Sequence, residues 1–121
     1  MEQAIILVLW STINSKGGEL IVPKLPSFYI KDLASLISEN NYEISNIRPG
    51  EKIHEEMISE NDSRNTFDFK DKYIIVPEYL KKFYKTKGVS VPEGFVYNSN
   101  NNEALMSKST LQNMLKKFKI L

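Results

Sequence analysis

Ile47-Arg48-Pro49-Gly50-Glu51-Lys52-Ile53-His54-Glu55-Glu56-Met57 is the most informative stretch of the chain. The residues leading into it, Glu43 to Ile47, predict a strand. Pro49 pushes Arg48 toward extended geometry, and Pro49-Gly50 favours a tight turn in which glycine is free to take positive φ. A short helix is then expected from about Glu51 to Ile58. A helix start presents unpaired backbone N–H groups and a partial positive charge, which suits an anion. Arg48, at the end of the strand, would add a planar fork of donors that matches a phosphate. On these residues alone two readings stand: a diphosphate site, or an arginine paired with a nearby carboxylate at a turn.

The flanking sequence alternates helix and strand. Residues 2 to 15 predict a helix stopped by Gly17-Gly18, with Ile5, Ile6, Leu7, Val8, Leu9, Trp10 and Ile13 wrapping nearly all of its circumference. Such a helix needs cover on nearly every face. A domain of this size has too little core to supply it, so part of this surface is expected to lie exposed or to meet another chain. Glu19 to Val22 predicts a short strand closed by Pro23 and Pro26. Ile30, Leu33, Ala34 and Ile37 mark a helix over residues 30 to 39. Tyr73 to Val76 predicts a central strand, apolar throughout. Glu78 to Lys87 has the features of a helix, with Pro77 before it and Gly88 after it. Phe95 and Tyr97 suggest a further short strand. A final helix is expected to start at Ser107 or Ser109, with Leu111, Met114, Leu115 and Phe118 on one face. The alternation predicts an α/β fold.

At 121 residues the chain fits one domain, 1–121, and its 41% apolar and 26% charged content is that of a soluble globular protein. A net charge of +1 argues against nucleic acid as a partner. Lys81, Lys82, Lys85 and Lys87, with Lys116, Lys117 and Lys119, therefore read as solvated faces. The absence of cysteine excludes disulfides, thiolate-bound zinc and cysteine catalysis. The apolar run Ala4 to Trp10 is too short to span a membrane, and no secretory signal follows it. A cytoplasmic location is expected.

The run Ile47 to Met57 resembles the Ile-Arg-Pro-Gly-Glu-Lys-Leu-His-Glu signature of the inverting UDP-N-acetylglucosamine 4,6-dehydratases, which are extended short-chain dehydrogenase/reductase enzymes of flagellin glycosylation and capsule synthesis. Gly17-Gly18-Glu19-Leu20-Ile21-Val22-Pro23-Lys24 is similar to that family's Gly-Gly-Glu-Ile-Phe-Val-Pro-Lys run. Ile30-Lys31-Asp32-Leu33-Ala34, Met57 to Thr66 and Tyr97-Asn98-Ser99-Asn100-Asn101 fall in the family's order. The resemblance implies a small C-terminal substrate-binding domain of an extended short-chain dehydrogenase/reductase, without its NADP-binding Rossmann half. It further implies that Arg48 holds the diphosphate of a UDP-sugar and that Glu51 accepts a hydrogen bond from a substrate hydroxyl. The segment Met1 to Lys16 is expected to pack between the two parts. The partner would be a Rossmann-domain chain or a second copy of this one.

Glycines occur only at 17, 18, 50, 88 and 94, so no G-x-G-x-x-G loop exists. The residues four after Tyr29, Tyr42, Tyr73, Tyr79, Tyr84 and Tyr97 are Leu33, Asn46, Pro77, Phe83, Gly88 and Asn101, so the family's Tyr-x-x-x-Lys pair is absent too. No catalytic residue, cofactor or metal is expected in this chain, where the full-length family uses NADP. His54, the one histidine, has no Cys or second His for a metal site. Glu55 and Glu56 point in different directions on a helix and read as a solvated acidic turn. The sequence is equally compatible with an enzyme fragment, a non-catalytic UDP-sugar-binding or docking module, and a decayed gene remnant.

Overall fold

A computed structural model describes residues 2–38 and 41–120. Its helices are α1 (Glu2–Asn14), α2 (Ile30–Ile37), α3 (Lys81–Tyr84) and α4 (Lys108–Lys117). Its strands are β1 (Leu20–Pro23), β2 (Glu56–Ile58), β3 (Thr66–Phe69), β4 (Lys72–Ile75), β5 (Val89–Ser90) and β6 (Tyr97–Asn98). This is the expected mixed α/β class. The chain divides into two compact units, one made of residues 1–24 and 56–98, the other of 25–55 and 99–121.

The first unit is built on an antiparallel sheet in the order β1-β4-β3-β5. β4 lies between two neighbours, as its apolar sequence requires. Side chains alternate across a strand, so Ile74 faces one cluster with Phe67, Val76 and Tyr84. Tyr73 and Ile75 face the other, packed on Val22, Ile58 and Tyr97. Ile74 and Ile58 are fully buried. The β3–β4 hairpin turns through Lys70-Asp71, with Phe69 opposite Lys72 and Lys70 held at φ 33. Tight two-residue hairpins usually announce themselves by Asn-Gly or Asp-Gly; neither occurs here, so β3 is not legible from sequence. Between β2 and β3, Glu60–Asn65 forms a 3-10 turn, and the Asp62 carboxylate accepts the Ser59 N–H at 3.2 Å.

α1 follows its predicted range closely. Trp10 packs against the Phe67 cluster, and the Lys72 ammonium, itself buried, sits 4.3 Å from the centre of the indole. The helix's polar side chains fold back on its own carbonyls: Ser11 Oγ donates to Leu7, Thr12 Oγ1 to Val8 and Asn14 Nδ2 to Trp10. The outer surface is left to Ile5, Ile6, Val8, Leu9 and Ile13, all exposed within this chain. α1 is not long and apolar enough to cross a membrane, nor is any other helix among the described residues.

A glycine-centred turn then joins α1 to β1. Gly17 and Gly18 have φ of +111° and +88°. A Cβ on Gly18 would come within 2.8 Å of the Pro77 ring. Glu19 closes the turn, accepting the N–H groups of Lys16 and Gly17 at 2.7 Å each and the Tyr84 hydroxyl at 2.8 Å. Desolvation works against the Glu19 carboxylate, but these donors outweigh it and hold its pKa below the usual value. Burial, with the neighbouring Glu19 charge and hydrogen bond, pushes the Tyr84 phenol up to about 12.

In the second unit, Ser107 caps α4 by accepting the Thr110 N–H at 3.2 Å. Leu111 and Leu115 are buried, whereas Phe118 is exposed. α2 half-buries Leu33, Ala34 and Leu36 and leaves Ile30 and Ile37 in solvent; Glu39, the last residue of the predicted helix, lies outside the described residues.

Three expectations are corrected. Glu43 to Ile47 is not a strand: it pairs with no other strand, and Ile44 and Ile47 stand exposed. No helix covers Glu51 to Ile58; Glu56–Ile58 is instead β2, paired antiparallel with β6. The helix over Glu78 to Lys87 shrinks to a 3-10 turn (Glu78–Leu80) running into the single turn of α3. Gly88 follows as the sequence suggested, but for a packing reason, since a Cβ there would lie 2.5 Å from the Phe69 ring.

Candidate functional site

The Arg48–Glu51 segment is a tight turn in the second unit. Gly50 takes φ +85°, the Glu51 N–H donates to the Arg48 carbonyl at 3.0 Å, and the turn closes on itself. The Glu51 carboxylate reaches back across it: Oε2 accepts the Arg48 backbone N–H at 2.8 Å, and Oε1 lies 3.9 Å from Arg48 Nε. The predicted site residues are therefore brought together, in the arrangement of an arginine beside a carboxylate at a turn. The helix start that was to supply further donors to an anion does not form. The Arg48 side chain remains 83% exposed, so its guanidinium faces water with the outer N–H groups available. An ion pair in this setting contributes little to stability.

The segment after the turn is tied to the Asn98 to Asn102 run. Ser99 Oγ accepts the Glu55 N–H at 3.1 Å and lies 3.4 Å from His54 Nδ1, while the Ser99 N–H donates to the Glu55 carbonyl at 2.9 Å. His54 thus lies beside Ser99, and the helix start at which the sequence placed it does not form. Asn102 works as a clamp. Its amide donates to the Leu25 carbonyl at 2.5 Å and to Ser27 Oγ at 3.0 Å, and its Oδ1 accepts the Ala104 N–H at 3.1 Å. Beside it the Ser27 and Leu105 backbones form a parallel bridge, with Ser27 N–H bonded to Ala104 O at 2.9 Å. Sequence reasoning gave the asparagine-rich run no role. Its residues bond to segments some 45 to 77 positions away, which no local pattern reveals.

In the first unit, Lys24 of the Val-Pro-Lys run pairs with Asp68 at 2.7 Å and lies 4.5 Å from the centre of the Tyr73 ring. Desolvation opposes the Lys24 charge, yet Asp68 and Tyr73 raise its pKa. Burial, more than any neighbour, raises that of Tyr73. Among the described residues no group of three or more His, Cys, Asp or Glu could hold a metal ion.

A UDP-N-acetylglucosamine 4,6-dehydratase (inverting) of Campylobacter jejuni serotype O:2 is 36% identical over 92% of this chain and 36% of its own length. Its counterpart from serotype O:23/36 is 34% identical over 95% of this chain and 37% of that protein. The chain thus spans just over a third of the length of these curated relatives. The solved structure of Pen from Bacillus thuringiensis superposes with a TM-score of 0.75 at 28% identity, covering 99% of this chain and 36% of that one. The sequence model of the family described as "Polysaccharide biosynthesis protein" matches residues 1–77, which include β1, α2 and the whole Arg48–Glu51 turn, and the chain belongs to that family.

Proposed function

We propose that this chain forms the UDP-sugar-contacting part of a nucleotide-sugar 4,6-dehydratase of surface polysaccharide or glycan biosynthesis, with Arg48 holding the diphosphate. The observation that carries this reading is the exposed Arg48 guanidinium on its closed turn, within a chain similar over nine-tenths of its length to dehydratases of that name. A planar guanidinium gives two parallel hydrogen bonds to a phosphate and remains charged at all relevant pH. Without a helix start behind it, the site rests on that side chain and its turn, and half a site binds weakly.

The chain's own residues do not fit a dinucleotide cofactor. Its one adjacent glycine pair is an exposed turn held by tertiary contacts: the Gly17 carbonyl accepts the Tyr79 hydroxyl at 2.9 Å, and a Cβ on Gly18 would lie 2.8 Å from the Pro77 ring. NADP and the catalytic groups would come from a cofactor-binding half, in the same polypeptide or in a partner chain. Alone, the 121 residues are expected neither to bind NADP nor to dehydrate UDP-N-acetylglucosamine.

The test is titration of UDP into the isotope-labelled chain, followed by NMR. Shifts should centre on residues 48–52, and Arg48→Ala should weaken binding by about 1.5–3 kcal/mol, the worth of a hydrogen bond to a charged group. Identical shifts and affinity in Arg48→Ala would remove Arg48 from the role.

A further inference from the structure

The resemblance casts Glu51 as a ligand for a substrate hydroxyl, but the geometry gives its carboxylate other work. Oε2 is committed to the Arg48 backbone N–H at 2.8 Å, and Oε1 faces the Arg48 Nε edge at 3.9 Å. The turn these bonds close contains a glycine at φ +85° with nothing within 4 Å of where a Cβ would stand, so packing does not hold it. The residues before it, 41–48, have no regular structure and are exposed. What fixes the direction in which Arg48 leaves the backbone is therefore local: the Glu51 N–H to Arg48 O bond, and the Glu51 carboxylate on the Arg48 N–H.

We infer that Glu51 is a positioning residue for Arg48, setting the arginine's backbone and guanidinium for an anion, and is not a ligand for the sugar. This rests on the proposal that Arg48 binds a diphosphate, and it assigns the second member of the pair to a different task. The carboxylate has an opposing effect, because its negative charge beside Arg48 repels a phosphate. Glutamine keeps an acceptor oxygen for the Arg48 N–H and removes the repulsion; alanine removes both.

The experiment uses inorganic pyrophosphate, which has no sugar hydroxyl, next to UDP-N-acetylglucosamine, with the full chain and the variants Glu51→Gln, Glu51→Ala and Arg48→Ala. If Glu51 acts through Arg48, Glu51→Ala weakens pyrophosphate and the UDP-sugar alike, by about fivefold for a lost hydrogen bond of ordinary strength. Glu51→Gln binds pyrophosphate at least as tightly as the parent chain. If Glu51 were a hydroxyl ligand, Glu51→Ala would weaken the UDP-sugar and leave pyrophosphate unchanged, and the inference would fall.

A ligand-free arm separates this from the function itself. With no ligand present, the Arg48 amide should exchange with solvent more slowly in the parent chain and in Glu51→Gln than in Glu51→Ala, which alone lacks the acceptor oxygen. An Arg48 amide that exchanges equally fast in all three overturns the positioning role whatever binds. Protection lost only in Glu51→Ala, with no pyrophosphate effect of Arg48→Ala, overturns the diphosphate site instead, and the positioning role with it.

Discussion

β4 and the segment Glu43 to Ile47 both read as strands in sequence, and only one of them is. β4 has β1 on one side and β3 on the other, and its Ile74 is fully buried. Glu43 to Ile47 has no strand beside it, and Ile44 is 73% exposed. Isoleucine occurs in both, so its presence does not explain the outcome. Strand preference is mostly the preference of a side chain for neighbours on a half-buried surface, and those neighbours are supplied from elsewhere in the chain. The paired region forms the closed core of the first unit. The unpaired one leads into the open turn that carries the exposed Arg48 side chain.

Truncation should show this difference most strongly. Ile74→Ala is expected to cost about 2–5 kcal/mol, as for a fully buried large-to-small change, whereas Ile44→Ala should cost less than about 0.5 kcal/mol. Urea denaturation of both variants measures it. Equal losses would mean that residues 43 to 47 are packed after all.

Glycines give a second contrast. Gly88→Ala drives a Cβ into the Phe69 ring and should cost about 1–3 kcal/mol through overpacking. Gly50→Ala meets nothing and carries only the strain of a positive φ, about 1 kcal/mol. The same denaturation series ranks them, and a larger loss at Gly50 would reverse the assignment of core and open turn.

The Glu19–Tyr84 pair tests how firmly the core region holds its polar contacts. The Tyr84 phenol has a folded pKa of about 12, above its ordinary value near 10. Its contribution to stability is therefore fully present below about pH 10 and is lost as pH rises toward 12. Glu19 acts in the opposite sense, its depressed pKa giving stability that fades as pH falls through the carboxylate range. Alkaline difference absorbance should show a last-ionising phase that belongs to Tyr84, and Tyr84→Phe should remove it. If that last phase survives in Tyr84→Phe, the pairing is wrong.

The smallest effect on stability is expected at α1. Ile6→Lys and Leu9→Lys replace exposed side chains and should change stability by no more than about 0.5 kcal/mol. They should nonetheless raise solubility or reduce self-association, because contiguous exposed apolar surface favours both aggregation and docking. Sedimentation of the parent and variants across a concentration series measures this. A loss of several kcal/mol would place that face under cover within the chain.

Much of the fold was readable in residues 2–38 and 73–76, where local signals are strong: a long apolar run ended by two glycines, a strand closed by proline, and an apolar strand with no polar break. The final helix was readable too, from Ser107 and the spacing of Leu111 and Leu115. The family was legible in ordered blocks of sequence, and Arg48 and Glu51 were picked out on either side of the Pro49-Gly50 turn, at a strand end and a helix start that do not form. The strand at 56–58, the hairpin through Lys70-Asp71 and the Asn102 clamp were not, because each depends on a partner that no local pattern names. Pro49-Gly50 predicts a turn, and a turn formed. Whether a helix or an extended strand follows depends on pairing with Tyr97–Asn98, some 40 residues further along. That pairing won, because β2 buries Ile58 against Val22 and Tyr97, a gain that the backbone preferences of Glu51 to Met57 could not match.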